Sequence, residues 1–173
     1  MRVISGKYKG RNILGFDING TRPTMDRVKE SMFASIQTYV KDAVVLDLFA
    51  GSGSLGIEAI SNGASKCYFV DHNKIAIDTI NKNISGIDNC FVLKKDYKEA
   101  LKFFKDNNIK FDLILLDPPY NDNLLNDAIK LIEEYELLNG ILVCEVENYE
   151  IETNYELIKD KKYGSKVVKI YKK

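Results

Sequence analysis

From residue 43 onward the chain alternates between short, largely apolar runs and longer stretches with apolar residues at helical spacing. Ala43–Phe49, 66–71, 90–94, 111–116 and 141–146 read as strands. Ser54–Asn62, Lys74–Ser85, Tyr97–Asn107 and Leu124–Leu137 read as helices, the first stopped by Gly63. Strands that are apolar on both sides and separated by helices predict a mostly parallel α/β sheet covered on both faces. Tyr155–Lys159 and Lys166–Tyr171 predict an antiparallel pair at the end of the chain. Before residue 43 the pattern changes. Residues 2–5 and 10–14 alternate as in a short hairpin, with Gly6 and Gly10 near its turn, and 15–23 form a polar loop. Thr24 or Asp26 then caps a helix reaching about residue 39, with Val28, Met32 and Ile36 on one face. The expected division is an extension over 1–40 and a main domain over 41–173.

The length of 173 residues and 45% hydrophobic content fit one globular domain with a small extension and argue against disorder. The net charge is zero, but it is segregated. Residues 1–30 carry seven Lys/Arg against three Asp/Glu, a balance of +4; residues 159–173 carry seven Lys against one Asp, +6; the middle is therefore −10. Basic ends around an acidic middle can steer a polyanion to one edge, although solvated lysine-rich termini would look the same. Cys67, Cys90 and Cys144 are widely spaced and include no C-x-x-C pair. They read as buried free thiols of a reducing compartment, with no zinc or other metal site. No signal-like or membrane-length apolar run is present, so a cytoplasmic protein is expected.

Four motifs follow successive strands, at the carboxyl edge where open α/β sheets bind ligands. Asp47-Leu48-Phe49-Ala50-Gly51-Ser52-Gly53-Ser54-Leu55-Gly56 holds G-x-G-x-x-G between a strand and a helix. The pattern alone also fits a dinucleotide. Asp47 places an anion near the loop, which repels a pyrophosphate and suits a cationic ammonium or sulfonium. Asp71 ends the second strand and can accept from both ribose hydroxyls, or cap a helix; His72, the one histidine, packs beside a cofactor or faces solvent. Asp96-Tyr97 ends the third strand: the acid can accept an adenine amino group with Tyr97 beside the ring, or cap the following helix. Asp117-Pro118-Pro119-Tyr120 follows the fourth, a string expected by chance in on the order of one in a thousand chains of this size. The amine of a nucleic-acid base is a poor nucleophile because its lone pair is delocalised. Acceptors from Asp117 and the Pro118 carbonyl can hold it pyramidal, the prolines fix the backbone, and Tyr120 offers a stacking face worth roughly 1–3 kcal/mol.

With these motifs in order, the chain resembles the RsmD family, the bacterial 16S rRNA (guanine(966)-N2)-methyltransferases. The likeness extends to the opening Met1-Arg2-Val3-Ile4-Ser5-Gly6-Lys7-Tyr8-Lys9-Gly10-Arg11 and to Arg22-Pro23-Thr24-Met25-Asp26-Arg27-Val28-Lys29-Glu30, similar to the family's R-P-T-x-D-x-V-[RK]-E segment. Family members often carry Glu where this chain has Asp71, and the shorter acid still reaches a ribose. The resemblance implies a Rossmann-like class I fold with a seven-stranded sheet. It implies S-adenosylmethionine as donor, held by Phe49, Ala50, Gly51, Ser52, Gly53, Asp71 and Asp96, with Arg22 and Thr24 in a segment closing over its methionine end. The acceptor it implies is guanine N2 of 16S rRNA, within a small-subunit assembly particle, contacted by Arg2, Lys7, Lys9 and Arg11 of the N-terminal hairpin. Adenine-N6 or cytosine-N4 methylation of DNA shares the Asp-Pro-Pro-Tyr chemistry and is the alternative. A nicotinamide oxidoreductase would leave that motif without a role.

Overall fold

A computed structural model of the chain describes residues 1–15, 26–119, 122–147 and 150–173. Its elements are α1 (Asp26–Ser35), α2 (Gln37–Val40), β1 (Val44–Leu48), α3 (Ser54–Ser61), β2 (Lys66–Asp71), α4 (Lys74–Asn83), β3 (Cys90–Lys94), α5 (Tyr97–Asp106), β4 (Phe111–Leu116), α6 (Asp122–Glu134), β5 (Leu138–Glu147), β6 (Glu156–Tyr163) and β7 (Lys166–Lys172). The seven strands form one sheet in the order β3-β2-β1-β4-β5-β7-β6. The first five pair in parallel, and β7 runs antiparallel between β5 and β6. The α/β sheet with a terminal antiparallel hairpin is the architecture expected from the chain's pattern.

Alternate residues of each strand feed opposite faces. Val45, Phe69, Leu113, Leu115, Ile141 and Val143 pack beneath α1, α3 and α4. Leu46, Leu48, Val70, Ile114, Leu116 and Leu142 pack beneath α5 and α6. Both faces are dry, which is why these strands lack a polar alternation. Among the described residues no helix is long and apolar enough to cross a membrane.

Four boundaries differ from the sequence reading, each for a local reason. The predicted helix through residue 39 breaks at Ile36 (φ −110°, ψ 11°), although Val28, Met32 and Ile36 are all buried as expected. The N-terminal hairpin has a single antiparallel bridge, Arg2↔Asn12, rather than a ladder. Its missing partners are on α3. Ile4 and Ser5 N–H donate to the Glu58 carboxylate (2.9 and 3.1 Å), Lys7 N–H to the Ser61 carbonyl (2.8 Å) and Tyr8 N–H to Ser61 Oγ (2.9 Å). Gly6, at φ +84°, lies so close that a Cβ there would sit 2.0 Å from the Ser61 carbonyl oxygen. β5 starts at Leu138 rather than Ile141, beside a register shift in β4 between Phe111 and Leu113. β6 extends to Tyr163 although most of its residues are exposed, so no buried alternation marks it.

Candidate active site

The parallel strands β1, β2, β3 and β4 end at one edge of the sheet, and the four motifs leave from there. β1 and β4 are neighbours with Leu48 opposite Leu116, so the glycine loop and Asp117-Pro118-Pro119 start side by side. Asp117, Pro118 and Pro119 are half-buried. Tyr120, the fourth residue of that motif, lies outside the described residues, as do Arg22 and Thr24.

The loop is held by its own backbone and by acids. Phe49 (φ +64°) turns the chain out of β1, Ala50 N–H donates to the Val70 carbonyl (2.9 Å), and Gly53 N–H closes a turn on the Ala50 carbonyl (2.8 Å). Gly51 N–H donates to Asp71 Oδ2 (3.0 Å), and Asn73 N–H donates to Asp71 Oδ1 (2.9 Å). Asp71 thus ties the loop to the start of α4, while each carboxylate oxygen keeps a second lone pair. Asp47 faces inward: it is 2% exposed and accepts from Gly56 N–H at 2.9 Å. Burial pushes its carboxyl well above the ordinary range, the Gly56 hydrogen bond opposes this, and the charges of Asp117 and Asp71 add to it. Three carboxyl groups from adjacent strands are therefore within electrostatic reach of one another. Asp47 supports the loop from behind; the sequence reading had it beside a cationic ligand. Ser52 and Gly53 lie between Asp71 and the start of α3.

His72 is mostly exposed, its Nδ1 3.9 Å from Asp71 Oδ1. Asp96 is exposed and caps α5, accepting from Lys98 N–H at 2.8 Å. Tyr97 is buried against Phe49, with ring centroids 5.6 Å apart, and its hydroxyl donates to Asp127 Oδ2 (2.9 Å). Burial and this acidic neighbour raise the phenol to about 12, so it stays protonated. Cys67 and Cys144 are buried and Cys90 is half-buried, all three as free thiols. Among the described residues no group of His, Cys, Asp and Glu could hold a metal ion.

The basic residues of the N-terminal segment are spread out. The Arg2 carbonyl meets Lys29 near the start of α3, whereas Lys7 sits on Ser61 at its far end, with Lys9 in the same turn. Arg11 donates to the Ser85 carbonyl.

A support that the sequence reading missed joins this segment to the loop. Lys29 is fully buried, and its Nζ donates to the Arg2 carbonyl (2.8 Å) and Ser54 Oγ (2.9 Å) and pairs with Glu58 Oε1 (3.3 Å). Burial lowers the Lys29 ammonium from the ordinary lysine range, and Glu58 opposes the shift. Asn83 on α4 plays a parallel part, accepting from Leu14 N–H (2.9 Å) and donating to the Leu14 (3.0 Å) and Ser52 (2.9 Å) carbonyls. A signal for the first of these stood in the sequence: Glu58 interrupts the apolar run of α3 between Ile57 and Ala59.

The family model described as "Conserved hypothetical protein 95" matches residues 1–172. YlbH of Bacillus subtilis is 41% identical, over 100% of this chain and 99% of its own. The ribosomal RNA small subunit methyltransferase D of Haemophilus influenzae is 34% identical, over 99% of this chain and 93% of its own. Among solved structures, yhhF of Escherichia coli superposes with a TM-score of 0.86 at 26% identity, over 100% of this chain and 97% of that one. The likeness runs end to end, through the N-terminal segment as well as the shared sheet, and the chain therefore belongs to the RsmD family of S-adenosylmethionine-dependent methyltransferases.

Proposed function

We propose that the protein methylates the exocyclic N2 of a guanine, the 966-equivalent position, in 16S rRNA of the small ribosomal subunit, within an assembly particle. The observation that carries this reading is the placement of Asp117-Pro118-Pro119 on the strand next to the glycine loop, in a chain whose full-length relatives include one named for small-subunit rRNA. The site suits the donor. It offers a loop stiffened from behind by Asp47, an acid with free lone pairs at Asp71, and three carboxyl groups whose field favours a cation. S-adenosylmethionine supplies a methyl group made electrophilic by its sulfonium.

This chain's residues do the rest. Asp71 accepts from the ribose hydroxyls, and Asp96 from the adenine amine while still capping α5. Phe49, Ala50, Gly51, Ser52 and Gly53 line the adenosyl pocket, with Tyr97 and His72 at its walls. Asp47 acts through the loop. Arg22 and Thr24 cover the methionine end. Asp117 and the Pro118 carbonyl each accept an N–H of the guanine amine, so its lone pair is kept out of the ring and available for attack. The Asp117 carboxylate is also where the proton shed by the methylated amine goes. Pro119 fixes the turn, and Tyr120 stacks on a base that has left its helix. Arg2, Lys7, Lys9 and Arg11 contact RNA phosphates, and residues 1–40 act as the RNA-contact and lid extension of the 41–173 domain.

Asp117→Ala should lower transfer about 10²–10³-fold with S-adenosylmethionine affinity retained. The check is mass spectrometry of nucleosides from small-subunit particles of cells lacking the protein, treated with wild type or variant. Equal yields of N2-methylguanosine would remove Asp117 from the reaction. N6-methyladenine or N4-methylcytosine as the wild-type product would replace the proposed substrate.

A further inference from the structure

The lysine-rich C-terminal hairpin is placed by the sheet register at the same edge as the site. Leu116 of β4 lies opposite Cys144, Glu147 at the end of β5 opposite Lys166, and Lys166 opposite Tyr163. The β6–β7 turn therefore stands on the site's edge, three strand spacings or roughly 14 Å from β4. β6 is the outermost strand, and every residue from Glu156 to Lys162 is exposed.

Two of its lysines face α1. Lys159 Nζ donates to Ser35 Oγ (2.8 Å) and Lys161 Nζ to Ser31 Oγ (3.4 Å), while the Tyr163 hydroxyl also meets Ser31 Oγ. Arg27, Ser31 and Ser35 are spaced four apart and share one stripe of α1. Arg27 is exposed and extends the line toward the end of α1 from which Lys29 reaches the glycine loop. Serine hydroxyls orient ammonium groups without neutralising them. By contrast, Lys166 and Lys169 of β7 are paired with Glu145 (2.6 Å) and Asp160 (3.9 Å). Lys162 is exposed on the other face of the sheet, opposite Val167, and Asp26 and Glu30 are the exposed acids on the neighbouring stripe of α1.

We infer that the groove between α1 and β6, with Arg27, Lys159 and Lys161 along it, binds the phosphodiester backbone of the RNA strand flanking the target base. The inference rests on the RNA substrate proposed above. A base drawn out to Asp117 leaves its flanking strand crossing β5, β7 and β6, and this row meets it with cations already oriented. The charge of this row matches a polyanion.

The test replaces Lys159 and Lys161 together with Gln and compares a control carrying Gln at Lys102 and Lys105, exposed lysines on α5 across the sheet. Both proteins are titrated with small-subunit rRNA over a range of salt, and their KM for particles from cells lacking the protein is measured. Each lost contact to a single strand lowers the log–log salt slope by about 0.7, so the β6 variant should lose about 1.4 from its slope. Its KM should rise about tenfold or more, with S-adenosylmethionine affinity and thermal midpoint retained. A slope and KM equal to those of the control would overturn the groove while leaving the substrate in place. A wild-type protein that neither binds nor methylates rRNA would overturn both. If the double variant misfolds, Lys161→Gln alone should lower the slope by about 0.7, and an unchanged slope rejects the proposal.

Discussion

Asp47 shows how one buried side chain can brace a loop from behind. Its carboxyl is buried, accepts the Gly56 N–H, and is held above its ordinary pKa of 3.8 chiefly by desolvation. A carboxyl raised in the folded state binds its proton more tightly there than in the unfolded chain. Its contribution is therefore most favourable at low pH and declines as pH rises from the unfolded value through the folded one. Asp47→Asn keeps an acceptor for Gly56 and carries no charge. The variant's thermal midpoint should gain on the wild type's as pH is raised from 4 to 8. A constant difference between the two across that range would show that burial does not raise the Asp47 carboxyl. The motif letters made Asp47 legible as a loop residue. They could not tell which way it points, because that depends on Phe69 and Cys67 from another strand packing against Gly56.

The loop and α3 work as a unit because glycine lets the helix approach the sheet. A Cβ on Gly56 would lie 2.4 Å from Phe69 Cε1 and 2.8 Å from Cys67 Sγ, both fully buried. Gly56→Ala should cost about 1–3 kcal/mol, read as a drop in the urea midpoint. It should also weaken S-adenosylmethionine binding, since the Asp47 anchor shifts with the helix. A variant as stable as wild type would mean α3 has room to move. At this scale the sequence was most readable: β2, β3 and β4 match their apolar runs residue for residue. It was least readable where hydrogen-bond partners are distant. The residues of the N-terminal segment alternate like strands, yet apart from a few bonds linking Met1 and Val3 to Gly10, Arg11 and Ile13, its N–H groups turn to Glu58 and Ser61 of α3. The Lys-rich β6 carries no apolar period because one edge and most of its side chains meet solvent.

Across the molecule, Lys29 and Glu58 join α1 and the N-terminal segment to α3. Lys29→Met should cost about 3–5 kcal/mol, because Glu58 stays buried without its cation. The double variant Lys29→Met, Glu58→Gln should recover at least half of that loss, since Gln leaves no buried charge and its one oxygen still accepts from Ile4 or Ser5. Trypsin should cut at Lys7 and Lys9 faster in the single variant than in the double. Equal losses in single and double variants would show that packing, not charge, holds the segment. The apolar run of α3 singles out Glu58, but nothing within either element names its partner, because the pair forms only when residues 29 positions apart in sequence meet across α1 and α3.

The position of β4 has a consequence for synthesis. β1 lies between β2, which follows it closely, and β4, which leaves the ribosome only after residue 116. Until then the nascent chain carries a three-stranded sheet with one side of β1 open, displaying the apolar Val45, Leu46 and Leu48. Such a bare margin recruits other strands. Truncated products ending before β4 should therefore clump rather than persist as a smaller fold, and the growing polypeptide depends on β4 arriving to seal its centre.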